Sequence, residues 1–151
     1  TRALAALHVL AGAEIGQLFA GAEHELLLGA QLTRLLGHLL ELCRGAQLGA
    51  IVEAGKLPLL PAAIGFAQQG IGPGAIARNL ASFGAEVSFA EQVPDWLRRI
   101  MADAQTSGGL LAAVAPESAE KALARFHTAG FSSAAVIGRM QGVTPVVNVN
   151  A

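Results

Sequence analysis

Between Glu23 and Arg44 the chain places Leu28, Leu32, Leu35, Leu36 and Leu39 at three- and four-residue spacing, a pattern that lines one face of a helix with leucine. Such a stripe is stable in water only when another layer covers it, so a core has to be built around this segment. Gly45 supplies the expected stop. Upstream, Thr1 to Gly21 is rich in alanine and leucine and also reads as helix, weakened by Gly12 and Gly16.

What covers the stripe follows from the rest of the chain. Leu48 to Ala54 reads as a strand centred on Ile51 and Val52, and Pro61 opens a helix to about Gln69. Gly70 to Gly74 is a loop, and Glu86 to Phe89 a short strand. Pro94 and Asp95 open a helix that places Leu97, Ile100 and Met101 on one face. Asp103 to Gly109 is a polar, glycine-ended loop that leads into a buried strand from Leu110 to Ala115. Pro116 opens a helix to about Ala129, with Ala119, Ala122, Leu123 and Phe126 inward and an outer Glu117–Lys121 pair. Gly130 ends it, and strands at Ala134–Ile137 and Pro145–Val149 close the series. Helices and strands alternate through the second two-thirds, which predicts an α+β domain: a layered sandwich of helices on a mixed β-sheet.

Composition narrows the function classes. A chain of 151 residues suits one domain, and 53% hydrophobic residues exclude disorder. A net charge of −1 argues against a face built to neutralise many phosphates, so no nucleic-acid partner is expected. The longest uncharged stretch, from Lys56 to Arg78, is broken by Pro58, Pro61 and Pro73 and by Gly65, Gly70, Gly72 and Gly74. It reads as turns around a short helix, so no membrane span is expected. No signal peptide is recognised either, and a cytoplasmic location is expected. Cys43 is the sole cysteine, which excludes an internal disulfide and a cysteine-based zinc site. Only 14% of residues are charged, against about 25% in average domains, which points to a surface partly covered by another subunit or domain.

Two loops are candidates for chemistry. Asp103-Ala104-Gln105-Thr106-Ser107-Gly108-Gly109 ends in paired glycines before a buried strand. Its backbone amides can form an anion-binding nest, Thr106 and Ser107 add hydroxyls, and Asp103 can hold the loop or help to bind a cation. An ordinary turn before a strand has the same composition. Gly70-Ile71-Gly72-Pro73-Gly74 lacks the spacing of a nucleotide-binding fingerprint and is otherwise a plain connection. Arg78, just after it, suits a phosphate or carboxylate. His38 and Glu41 share a helix face but are too few to bind a metal, so no metal site is expected. His8 and His127 read as surface residues, and Cys43 as a structural thiol. No residue is assigned a catalytic role.

The order of four strings carries a family resemblance: Leu35-Leu36-Gly37-His38-Leu39-Leu40-Glu41-Leu42, Leu57-Pro58-Leu59-Leu60-Pro61, Asn79-Leu80-Ala81-Ser82, and Asp103 through Gly109 to Leu111. Together they resemble the C-terminal domain of selenophosphate synthetase (selenide, water dikinase), a domain shared with aminoimidazole-ribonucleotide synthetase relatives. The resemblance covers residues 35–151, while residues 1–34 form a helical segment that matches poorly.

Several expectations come from the resemblance alone. The complete enzymes convert ATP, selenide and water to selenophosphate, AMP and phosphate with Mg²⁺, and work as homodimers. An N-terminal ATP domain, expected to lie outside this chain, carries their metal-binding aspartates and catalytic Cys or selenocysteine. The resemblance makes Asp103, Gln105, Thr106, Ser107, Gly108 and Gly109 the lining or support of an interdomain nucleotide-phosphate site, with Asn79 and Arg78 as weaker candidates for the same cleft. The partner is then an N-terminal ATP-binding domain or a separate subunit. Departures from the family pattern are Ala104 in place of the usual proline, and Ala30-Gln31-Leu32-Thr33-Arg34 where the family has an acidic Thr-Asp-Val-Thr-Gly-Phe-Gly run. Cys43 lies on a helix in the wrong domain to be the family's catalytic cysteine. The chain by itself is expected to be inactive. Its rival readings are a non-catalytic dimerisation or docking module and a small phosphate-ligand binding domain.

Overall fold

The computed structural model describes residues 24–28, 35–103 and 110–151. In chain order the elements are β1 (His24–Leu28), α1 (Leu35–Ala46), β2 (Gly49–Glu53), α2 (Pro61–Gln68), α3 (Ala75–Phe83), β3 (Val87–Phe89), α4 (Asp95–Met101), β4 (Leu111–Val114), α5 (Pro116–Thr128), β5 (Ala135–Gln141) and β6 (Val147–Asn150). Among the described residues the strands form one six-stranded sheet in the order β3-β6-β2-β5-β1-β4. It is mixed: β1 runs antiparallel to β4 and β5, β2 is antiparallel to β5, and β6 is parallel to both β2 and β3. The α+β class expected from the sequence is therefore the observed one.

The leucine stripe divides between two elements. The helix expected from Glu23 is instead a strand over His24–Leu28, in the segment read as helical, and helix begins only at Leu35. Leucine is a good helix former, but pairing on both edges and full burial of Leu26 override that preference. In α1, Leu35, Leu36, Leu39, Leu40 and Cys43 are buried, and the helix packs on β2 and β6. The helix also runs through Gly45, the expected stop. Gln47 takes the left-handed turn at φ +54°, with its amide bonded to the Arg44 carbonyl, while Leu48 N–H reaches back to the Cys43 carbonyl at 3.1 Å. Those two bonds are the Schellman pattern, and buried Leu48 supplies its apolar contact.

Prolines mark the other helices as expected: α2 and α5 each carry proline at their first turn, where the missing N–H costs no bond. On α5, Ala119 is buried and Ala122, Leu123 and Phe126 are half-buried, the face read from the sequence, whereas Glu117 and Lys121 form no ion pair among the described residues. α3 lies where no element was expected, with Ile76 and Phe83 buried two turns apart. β6 begins at Val147 rather than Pro145, because proline has no N–H for the ladder.

β5 is longer than expected. Its pairing with β1 shifts between Leu26 and Leu27, which face Gly138 and Val136, leaving Ile137 as an inserted residue. Gly138 sits where a Cβ would lie 2.0 Å from the Ile51 carbonyl oxygen of β2. At the far end of α1, Arg44 bonds Glu41 and the Glu86 carboxylate just before β3. The hydrogen bond from Arg44 holds the exposed Glu86 carboxyl below its usual range.

Candidate functional site

α2, α3 and α4 enclose a groove of about 340 Å³. Its walls include Phe66 of α2, Ile71 and Gly72 of the connecting loop, Ile76 of α3, and Arg99 and Asp103 at the end of α4. The volume lies at the low end of ligand clefts, enough for part of a nucleotide. The glycine-rich loop and the first residue of the Asp103–Gly109 segment, 30 residues apart, therefore line one concavity.

The Gly70–Gly74 loop and Asp103 reach it through ordinary local physics. Gly70 closes α2 with φ +77°, and Ile71 N–H returns to the Phe66 carbonyl at 2.9 Å. That turn presents Ile71, 57% exposed, at the rim beside Phe66, 54% exposed. α4 ends at Met101, where Ala102 N–H bonds to the Arg98 and Arg99 carbonyls and Asp103 N–H to Ile100 at 3.1 Å.

Adjacent arginines on α4 do different work, being about 100° apart around the helix. Arg98 donates to the Val93 and Ala90 carbonyls and covers the Phe89 ring at 5.3 Å, so it binds the β3–α4 connection together. Arg99 points the other way, onto the Gly70 carbonyl at 3.2 Å, and is the cation of the groove. Nothing in the sequence separates the two beyond the apolar face formed by Leu97, Ile100 and Met101.

The residues singled out from the sequence fall as follows. Asp103 lines the groove. Gln105, Thr106, Ser107, Gly108 and Gly109 lie outside the described residues. Arg78 is exposed on α3 and does not line the groove. Asn79 is half-buried, and its amide nitrogen donates to the Ala102 carbonyl at 2.8 Å. His38 and Glu41 are exposed, and Glu41 accepts from Arg44. His127 meets the Ala134 carbonyl at 3.0 Å, and His8 lies outside the described residues. Among the described residues, no group of three or more His, Cys, Asp or Glu side chains could hold a metal ion. No helix among them is long and apolar enough to cross a membrane.

Cys43 is completely buried in the core, and burial pushes its thiol from 9.0 up to about 12. A thiol that stays protonated is a poor nucleophile. The folded chain is expected to leave Cys43 unmodified by a disulfide reagent at pH 8, with full reaction after denaturation. The linkage has a defined sign. The thiolate is favoured only in the unfolded chain, so this contribution is intact below pH 9 and is lost as pH rises from 9.0 towards about 12. Urea titrations across that range are expected to lose stability at a limiting slope of about 1.4 kcal/mol per pH unit, a slope Cys43→Ala removes.

Comparison with known proteins places these features in context. Residues 15–149 match the family model described as AIR synthase related protein, C-terminal domain. The chain is 47% identical over 115 residues to a selenide, water dikinase of Pseudomonas straminea, covering 76% of this chain and 32% of that protein. It is 48% identical over 106 residues to the selenide, water dikinase of Burkholderia orbicola, covering 70% of this chain and 30% of that protein. A Rhizobium meliloti selenide, water dikinase is 43% identical over 104 residues, or 69% of this chain and 30% of the relative. The chain thus spans about a third of the length of these curated relatives.

Proposed function

The chain belongs to the family of the AIR synthase related protein C-terminal domain, and on that premise we propose that it works as the C-terminal domain of a selenophosphate synthetase. In the complete enzyme ATP, selenide and water yield selenophosphate, AMP and phosphate. The groove at Arg99 and Asp103 and the Gln105–Gly109 segment supply one wall of the nucleotide-phosphate site. An N-terminal ATP-binding domain, or a separate subunit, supplies the other. The working assembly is a cytoplasmic homodimer.

One observation carries the reading: the Gly70–Gly74 loop and Asp103 line the same groove, with Arg99 between them. The donor set suits this role. A guanidinium matches phosphoryl oxygens, and Gly72, where a Cβ would lie 2.8 Å from the Ile76 side chain, lets the loop close down beside Arg99. Mg²⁺ takes one or two carboxylates and completes its shell with phosphate oxygens and water. Asp103 would be one such ligand, and the others would come from the nucleotide, from water and from the partner domain. The ion's chemistry is neutralisation of phosphoryl charge, and Arg99 contributes to the same end from the protein side.

A split-enzyme experiment tests this. The chain alone is expected to release no AMP from MgATP. Mixed with the N-terminal two-thirds of the Pseudomonas straminea relative, it is expected to restore selenide-dependent AMP release. Arg99→Ala in that mixture is expected to cost about tenfold in kcat/KM, the loss of one charge-assisted contact. Mg²⁺-dependent ATP turnover by the chain alone, abolished by Asp103→Asn, overturns the reading.

The exposed apolar side chains of the Leu60–Ile71 segment favour one further reading. Leu60, Phe66 and Ile71 are 61%, 54% and 57% exposed, which suits a docking module that contributes no chemistry. Restored assembly with the partner segment, but an Arg99→Ala variant as active as the unsubstituted chain, selects that alternative.

A further inference from the structure

Asn79 faces a buried acceptor. Ala102 is fully buried, and its carbonyl lies just past α4, where the last turn of a helix leaves carbonyls without intrahelical partners. A buried carbonyl has to find a donor. It finds the Asn79 side-chain amide at 2.8 Å, across 23 residues of sequence. Only the nitrogen of that amide can serve, because a carbonyl accepts and does not donate.

A second side-chain-to-carbonyl contact is made by Arg99, which lines the groove. Asn79 of α3 holds the end of α4, while Arg99 of α4 holds the Gly70 carbonyl ahead of α3 at 3.2 Å. One bond thus ties α3 to the end of α4, and the other ties α4 to the turn that closes α2. Asp103 follows Ala102 directly, so the Asn79 bond holds the backbone immediately before Asp103. Arg78, the adjacent residue, is exposed and makes no such bond among the described residues.

We propose that Asn79 is a positioning residue: its amide, spent on the Ala102 carbonyl, fixes Asp103 at the groove and does not itself contact the bound phosphate. This deepens the nucleotide reading above and rests on it for the identity of the ligand. The claim about Asn79 stands on geometry of its own.

The test uses Asn79→Asp, isosteric but without the donor, with Asn79→Ala beside it and Arg78→Ala as control. Amide hydrogen exchange and MgATP titration are followed by NMR on the whole chain. Asn79→Asp is expected to speed exchange of the Asp103 amide about tenfold with unchanged far-UV circular dichroism, because one local closing contact is gone. MgATP affinity is expected to fall by about tenfold in the same variant and to stay unchanged in Arg78→Ala. Unaltered Asp103 exchange in Asn79→Asp overturns the proposal. So does a MgATP-induced shift of the Asn79 side-chain amide in the unsubstituted chain, which makes it a ligand. If both Asn79 variants fail to fold, the unsubstituted chain decides: an Asn79 amide protected from exchange and unmoved by MgATP supports positioning, and an unprotected one rejects it. An unsubstituted chain that binds no MgATP counts against the nucleotide reading alone, while the exchange measurement still settles the role of Asn79.

Discussion

Alanine at Gly138 is expected to destabilise the fold by about 3 kcal/mol or more, at the upper end of overpacking costs, and to leave little folded chain at 37 °C. A Cβ there would lie 2.0 Å from the Ile51 carbonyl oxygen and 3.0 Å from the Val52 Cα. Both obstacles are backbone of a paired central strand, so no side chain can swing aside. Relief requires β2 and β5 to separate, which breaks the ladder between Gly49–Val52 and Gly138–Gln141. Urea denaturation followed by circular dichroism measures the loss. Gly45→Ala is the matched control: Gly45 lies in α1 with nothing within 4 Å of its added Cβ, and the change is expected to stabilise by about 0.5–1 kcal/mol. Equal stability of Gly138→Ala and the unsubstituted chain contradicts the close approach of the strands.

Leu39→Ala is expected to cost about 2–5 kcal/mol, the range for emptying a fully buried leucine site. Leu39 has no exposed surface and lies on the face of α1 that packs against β2 and β6. The cavity would open at the centre of the core, where paired strands on one side and a helix on the other limit collapse. In a chain of this length such a loss lowers the melting temperature by roughly 10 °C. His38→Ala, one residue away on the exposed side, is expected to change stability by less than about 0.5 kcal/mol. If the two variants melt together, the assignment of the buried face of α1 is wrong.

Much of this architecture was legible from local chemistry. Pro61 and Pro116 announce α2 and α5 because proline suits a first turn, and Pro94 stands just ahead of α4 as its N-cap. Ile51 and Val52 mark β2 because two β-branched residues together favour a pleated surface. Where the reading failed, a distant partner decided. His24–Leu28 has the composition of a helix, and only β4 and β5, more than 80 residues away, make it a strand. Gly29, directly after that segment and inside the expected helix, is a local warning. α3 escaped notice because its buried residues, Ile76 and Phe83, are too few to show a period.

The groove was half legible. Its glycine loop and the polar run that begins at Asp103 stand out, but the meeting of that loop with Asp103 depends on how α2, α3 and α4 pack together. The identity of the groove's cation was out of reach for the same reason. Arg78 follows a glycine loop and draws attention, whereas Arg99 sits in an Arg-Arg pair whose members are told apart only by the carbonyls each one meets.

The place of β6 governs when this molecule can be made. Residues 147–150 lie between β2 and β3, and β3 bonds to no other strand among those described. Every other described strand precedes β6 in the chain, so each leaves the ribosome before the one that joins β2 to β3. A nascent chain arrested before Val147 therefore carries an open β2 edge and a detached β3, both available to neighbouring nascent chains. The six-stranded sheet is complete only once residues 147–150 have taken their place between β2 and β3.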